Sequence, residues 1–200
     1  MNRKLLIATT NQGKVREYRS LLKDVPFNLV SMTDEGITTT VEETGTTFKE
    51  NAGLKAEALA AESRLLTLAD DSGIEVDALG GEPGVMSARY AGDDATDAER
   101  VTYLLSKMMD VPEGKRTARF RCVIAVAEPD GDTEYFTGEC EGIVSYEPAG
   151  ELGFGYDPVF YIPEFGKTIA ELGPEVKNRI SHRARAAEKA RKALIDRYTI

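Results

Sequence analysis

Asp70-Asp71-Ser72-Gly73 sets two carboxylates side by side at the end of an apolar run. Paired carboxylates can hold a magnesium ion and draw a proton from water, although Asp, Ser and Gly also build plain turns. A second acidic pair, Glu42-Glu43, lies in a polar, threonine-rich stretch and is by type either a metal ligand or a solvated loop. Thr9-Thr10-Asn11-Gln12-Gly13-Lys14 falls where a strand pattern gives way to a helix pattern, so its backbone N–H groups and its lysine could cradle phosphate. An ordinary capped turn would have the same composition. Phe154-Gly155-Tyr156-Asp157-Pro158 puts two aromatic rings, a glycine and an acid into one loop, which suits either a flat face for a base or core packing. Lys177, His182 and Arg183 concentrate positive charge near the last helix start.

Other chemistries are excluded by count and spacing. His182 is the single histidine, so a serine or cysteine hydrolase would have to rest its base machinery on one residue. Cys122 and Cys140 are far apart, with no C-x-x-C and no adjacent histidine, which removes zinc and redox pairs and points to a reducing compartment. Gly166-Lys167-Thr168 lacks the earlier glycine of a P-loop, and Gly153-Phe154-Gly155 lacks the third glycine of a dinucleotide fingerprint. With 34 acidic and 25 basic residues the net charge is -9, which gives no general field for nucleic acid. No apolar run approaches the roughly 20 residues of a membrane helix. The start Met1-Asn2-Arg3-Lys4-Leu5-Leu6-Ile7-Ala8 reaches polar residues too early for a signal peptide, so a cytoplasmic location is expected.

The elements that must position these residues alternate between strand and helix periods. Leu5 to Ala8 reads as a strand, and Val15, Tyr18, Leu21 and Leu22 share a helical face beyond it. Phe27 to Val30 suggests a second strand. Thr47 and Glu50 have capping-box spacing ahead of a helix reaching about Ser63, on which Asn51 and Lys55 share a face away from the apolar stripe. Leu65 to Ala69 reads as a buried strand that ends at Asp70-Asp71-Ser72-Gly73, with Ile74, Val76 and Leu79 resuming an extended pattern. Thr96 and Glu99 open another capped helix, the alternation from Ala118 to Val126 is a strand, and a partner strand follows from Tyr135. Val159 to Ile162 is a further strand, and Ser181 caps a final helix running towards Tyr198. The order is that of an α/β protein, and 1–200 reads as a single domain without repeat or linker.

Taken together, in order and with their gaps, these blocks resemble the inosine/xanthosine triphosphate pyrophosphatases over nearly the whole chain. The resemblance also rests on Glu42-Glu43-Thr44-Gly45-Thr46-Thr47-Phe48, Glu50-Asn51-Ala52, Leu54-Lys55-Ala56, Pro83-Gly84, Ser87-Ala88-Arg89-Tyr90, Gly166-Lys167-Thr168 and Ser181-His182-Arg183. Thr10 stands where many members carry glycine. The resemblance implies two lobes, a long twisted mixed sheet flanked by helices, an active site in the cleft between the lobes, and a homodimer. It further implies that Thr9, Thr10, Asn11, Gln12, Gly13 and Lys14 bind the triphosphate with Lys55, that Glu42 and Asp71 hold Mg2+, and that Asp71 is the base. Ser72, Phe154, Gly155, Tyr156, Asp157, Lys177, His182 and Arg183 are then expected on the substrate, the last two near the purine. The implied activity is hydrolysis of ITP, dITP and XTP to the monophosphate and pyrophosphate. A pyrophosphatase for pyrimidine or other modified nucleotides, and a nucleotide-binding module without turnover, are the alternatives.

Overall fold

The computed structural model describes residues 3–199, so Met1 and Asn2 of the basic start lie outside the described residues. The chain runs β1 (Lys4–Ile7), α1 (Gln12–Leu21), β2 (Asn28–Ser31), α2 (Phe48–Ser63), β3 (Leu66–Val76), α3 (Asp97–Lys107), β4 (Thr117–Ala127), β5 (Thr133–Val144), β6 (Phe160–Ile162), β7 (Lys167–Thr168), α4 (Pro174–Ile180) and α5 (His182–Tyr198). The α/β expectation holds. The strands form one seven-stranded mixed sheet in the order β2-β1-β3-β4-β5-β6-β7. β1 is parallel to β2 and β3, whereas β6 is antiparallel to β5 and β7. Among the described residues no helix is long and apolar enough to cross a membrane.

Contacts divide the chain into two compact units. One holds the residues up to Asp71, Cys122–Gly138 and the segment from Arg183; the other holds Ser72–Arg121 and Glu139–His182. Two of the boundaries fall inside motifs, after Asp71 and after His182.

In the first unit, Val15, Tyr18 and Leu22 recur at helical spacing and bury one face of α1 against Leu5 and Ile7 of β1 and Leu66 and Leu68 of β3. Ala186, Ala187, Ala190 and Leu194 close that core from α5. In α2 the Thr47 hydroxyl and the Glu50 carboxylate form the reciprocal capping box that their spacing predicts. The second unit has its own core, in which Val101, Leu104 and Met108 from the α3 segment meet Ile74, Val76, Phe120, Cys140 and Phe160. Thr96 and Glu99 cap α3 in the same reciprocal way.

The sequence places the two aspartates at a strand end, and the structure corrects this: β3 continues through Asp70, Asp71, Ser72 and Gly73 to Val76. Turn-prone residues are held extended here by close packing. A Cβ on Gly73 would come within 2.3 Å of the Ser87 hydroxyl and 2.4 Å of the Gly84 carbonyl oxygen, so this glycine serves close approach and not a turn. The Ser87 hydroxyl accepts the Ile74 N–H at 2.9 Å and donates to the Gly84 carbonyl at 2.6 Å, fixing the strand beyond the acidic pair. Because side chains alternate along a strand, the two aspartates point to opposite faces of the sheet. Helix α4 has no counterpart in the sequence reading, since seven residues opened by Pro174 are too short for a periodic signal.

Candidate functional site

The parallel register pairs Ile7 of β1 with Leu68 of β3. Two residues further on, the chain has reached Thr9 just beyond β1 and Asp70 within β3, which places the phosphate-loop motif beside the acidic pair. Ligands of open α/β sheets collect at this end of parallel strands. Asn11 is the N-cap of α1, its side-chain oxygen accepting the Lys14 N–H at 3.1 Å, while the Thr9 hydroxyl accepts the Asn11 N–H at 3.2 Å. The first turn of α1 holds no acidic residue, and Thr10, Asn11 and Gln12 are exposed. Backbone donors and the positive end of the helix dipole therefore face solvent without an internal anion. Thr10 fits because the position does not use the left-handed backbone; among described non-glycine residues only Arg64 does.

Asp70 and Asp71 are neighbours in opposite environments. Asp70 is fully buried, and its Oδ2 meets the Lys14 ammonium at 3.0 Å and the Arg183 guanidinium at 3.3 Å from Nη2 and 3.4 Å from Nε. Burial acts to raise its pKa, but Lys14, Arg183 and Lys55 outweigh it and hold the carboxyl well below the usual range. Its Oδ1 is buried with no hydrogen-bond partner among the described residues. The Cys122 thiol lies 3.7 Å from Asp70 Oδ2; burial, then Asp70, pushes its pKa up to about 12, so it is no thiolate ligand or nucleophile.

Asp71 is 6% exposed, and its pKa is raised, by burial first and by Glu43 as well, against the pull of Lys55 and Lys14. Its Oδ2 accepts a hydrogen bond from Asn51 Nδ2 at 3.1 Å. Lys55 bonds the Glu43 carboxylate. Burial works against the Lys55 ammonium, yet Asp71, Glu43 and Asp70 more than offset it and raise its pKa. The two adjacent carboxyls thus have oppositely shifted pKa values, Asp70 lowered by its cations and Asp71 raised by burial.

Arg183 lies among acidic partners. It is 1% exposed, and in addition to the two bonds to Asp70 its Nη1 donates to Glu17 at 2.7 Å. A buried carboxylate calls for a nearby cation, and Lys14 and Arg183 both supply one to Asp70. Glu42 is exposed, while the other member of its pair, Glu43, faces Lys55.

In the second unit the aromatic loop is built by its own polar residues. Asp157 Oδ2 accepts the Phe154 N–H at 2.9 Å and the Lys177 ammonium at 2.5 Å, and that ammonium also lies 4.5 Å from the centre of the Phe154 ring. The Tyr156 hydroxyl donates to the Ser87 carbonyl at 2.8 Å, and the Gly155 N–H donates to Asp97 at 2.7 Å. Tyr156, Asp157 and Lys177 are buried, and Phe154 and Gly155 are half-buried. His182 stacks on Phe120, with ring centres 4.6 Å apart and planes 16° from parallel. Ser72 opens this unit on β3.

Gly153 has φ +84°, and a Cβ there would sit 2.1 Å from Asp157 Oδ2. Gly153→Ala is expected to push Asp157 off the Phe154 N–H and Lys177. The expected cost is about 1–3 kcal/mol from the unpaired buried groups and the strained backbone. Urea unfolding checks this, and an unchanged midpoint would show that the loop does not depend on Asp157.

The structure therefore gathers Lys14, Lys55, Asp70, Asp71 and Arg183 in one unit, and Phe154 to Asp157 with Lys177 in the other. The sequence reading gave no role to Asn51, Phe120 or Asp97, and offered Glu43 as a metal ligand or a solvated loop residue. Only Asn51 carried a signal, since it shares the Lys55 face of α2 at i, i+4.

The profile of the Ham1 family matches residues 5–193. A dITP/XTP pyrophosphatase of Geobacillus kaustophilus (strain HTA426) is 52% identical over 187 residues, 94% of this chain and 92% of the relative. One of Desulforamulus reducens (strain ATCC BAA-1160 / DSM 100696 / MI-1) is 52% identical over 191 residues, 96% and 95% of the two chains. Among solved structures, a HAM1 protein from Coxiella burnetii matches with a TM-score of 0.88 at 42% identity, covering 97% of this chain and 99% of that one.

Proposed function

The chain belongs to the Ham1 family, and from that premise we propose that it hydrolyses the non-canonical purine nucleotides ITP, dITP and XTP to the monophosphate and pyrophosphate. Clearing them from the pool keeps them out of DNA and RNA. The observation that carries this reading is the pair Asp70 and Asp71, one held ionised and one raised, beside a helix start bare of acids and two lysines. That constellation suits an anhydride carrying several negative charges, attacked by water.

In this reading the N–H groups of Gln12 and Gly13 at the start of α1, with Lys14 and Lys55, bind the phosphates and offset their charge. Asp71 takes the proton of a water that attacks the α-phosphorus. The bond from that phosphorus to the bridging oxygen breaks, and pyrophosphate leaves with the electron pair. Positioning and charge compensation supply most of the acceleration in such transfers.

The donor set also suits Mg2+. Asp71 and the Glu42-Glu43 pair offer only hard oxygens, and the raised pKa of Asp71 marks a place where added positive charge is favourable. Among the described residues no three acidic, His or Cys side chains are gathered into a closed cage. An ion held by one or two carboxylates, water and substrate phosphate is the magnesium pattern. As the family resemblance implies, Glu42 with Asp71 would hold it. When bound, the ion neutralises phosphate charge and polarises the attacked phosphorus.

Hypoxanthine and xanthine present an acceptor oxygen at C6, where adenine presents a donor amino group. Arg183, His182, whose ring stacks on Phe120, or a nearby backbone N–H would donate to that oxygen. A homodimer, the single domain and a cytoplasmic location complete the proposal. The family resemblance supports the first two, and the buried free thiols of Cys122 and Cys140 support a reducing compartment.

A panel of purine and pyrimidine nucleoside triphosphates with Mg2+, reading pyrophosphate and phosphate separately, tests it. Pyrophosphate should be the first product, chelation should abolish turnover, and kcat/KM for ITP should exceed that for ATP by at least about 10²-fold. Phosphate as first product, or equal constants for ITP and ATP, would overturn the assignment, and a pyrimidine preference would establish the alternative.

A further inference from the structure

Asn51 is 1% exposed and has both ends of its amide engaged. Its Oδ1 accepts the Gly45 N–H at 2.8 Å, which fixes the amide orientation and turns Nδ2 to Asp71 Oδ2 at 3.1 Å. Gly45 is shaped to this contact, because a Cβ there would lie 2.7 Å from Asn51 Oδ1 and 2.6 Å from the Glu50 Cβ. The neighbouring Glu50 carboxylate accepts the N–H groups of Thr46 at 2.7 Å and Thr47 at 3.0 Å. Two consecutive side chains of the first turn of α2 therefore grip the backbone that follows Glu42-Glu43, and one of them also reaches the base.

We infer that Asn51 is a positioning residue for the reaction: its amide fixes the plane of the Asp71 carboxylate and sets the Glu42-Glu43 loop in register with it. Asp71 has no helix or turn geometry of its own to orient its carboxyl, being mid-strand. An N–H donated to Oδ2 restricts rotation about the Cβ–Cγ bond and steadies the ionised form that must accept the proton. The inference rests on the reading of Asp71 as base and adds a residue to it.

Asn51→Asp and Asn51→Leu separate the two halves of the amide. Asn51→Asp keeps an oxygen for the Gly45 N–H and loses the donor to Asp71, whereas Asn51→Leu loses both. Both variants should lower kcat for ITP by at least about tenfold, the scale seen when an outer-shell hydrogen bond to a reacting ligand is lost. In Asn51→Leu the Kd of a non-hydrolysable inosine triphosphate analogue, read by calorimetry, should stay within about threefold of wild type, because the amide touches no phosphate-binding group. Wild-type kcat in Asn51→Asp with loss in Asn51→Leu would show that the amide only docks the loop, and would overturn the inference. So would wild-type kcat in both. Should Asn51→Leu fail to fold, Asn51→Asp, which retains the loop contact, decides alone. Asp71→Asn run alongside separates the two levels: an active Asp71→Asn removes the base and this inference with it, and an inactive one beside a fully active Asn51→Asp removes only the inference.

Discussion

Asp71→Asn is expected to lower kcat for ITP by at least about 10²-fold while leaving the protein as stable as wild type or more so. In the proposed mechanism the catalytic loss follows from removing both the proton acceptor and an anionic oxygen that would hold Mg2+. Asparagine has the same shape and can turn its own carbonyl oxygen to the Asn51 amide, so the hydrogen bond at 3.1 Å has a replacement. The stability sign comes from the pKa direction. Asp71 is raised in the folded protein, by burial first, so above its unfolded value near 4 its ionised form disfavours folding. A neutral isostere relieves that cost at neutral pH. Melting in metal-free buffer together with steady-state kinetics checks both halves. Near wild-type turnover would make Asp71 a strand residue without chemistry, and a large fall in melting temperature would make its charge structural.

Much of this site was legible in the sequence because its motifs are local. Thr47 with Glu50 and Thr96 with Glu99 announce their helices through capping chemistry confined to four residues, and both boxes form. Asn11 caps α1 at the strand-to-helix junction for the same reason. What was not legible depends on residues distant in the chain. Asp70-Asp71-Ser72-Gly73 has turn composition, yet β3 runs straight through it, because Ser87 and Gly84 press against Gly73 and Ile74 from another segment. The same strand geometry separates the two aspartates by face, so no local rule could tell the counter-ion from the base. Arg183 shows the limit most clearly. Its ion pair with a fully buried Asp70, 113 residues earlier in the chain, leaves no local signal. The bond between Lys177 and Asp157 likewise depends on α4, a helix too short to be seen in the sequence pattern.

Asp70→Asn should have the opposite character from its neighbour, lowering stability by about 3 kcal/mol. The side chain keeps its shape, so no cavity forms; the loss is electrostatic. Arg183 at 1% exposure and Lys14 close by would lose the carboxylate on β3 that both of them meet. Removing one partner of a buried ion cluster typically costs about 3–5 kcal/mol, since the remaining charge stays desolvated. The lower end applies because Arg183 retains its bond to Glu17 at 2.7 Å. Coupling distinguishes this cause from damaged packing. The double variant Asp70→Asn with Arg183→Met removes the stranded guanidinium, so it should be less destabilised than the sum of the singles. Urea unfolding at neutral pH measures all four proteins. A loss under about 1 kcal/mol in Asp70→Asn, or strict additivity in the double variant, would mean that Asp70 does not hold the cluster together. A stabilised Asp71→Asn beside a destabilised Asp70→Asn would show that one strand carries a carboxylate kept for folding and, on the opposite face, one kept for chemistry at a cost to folding.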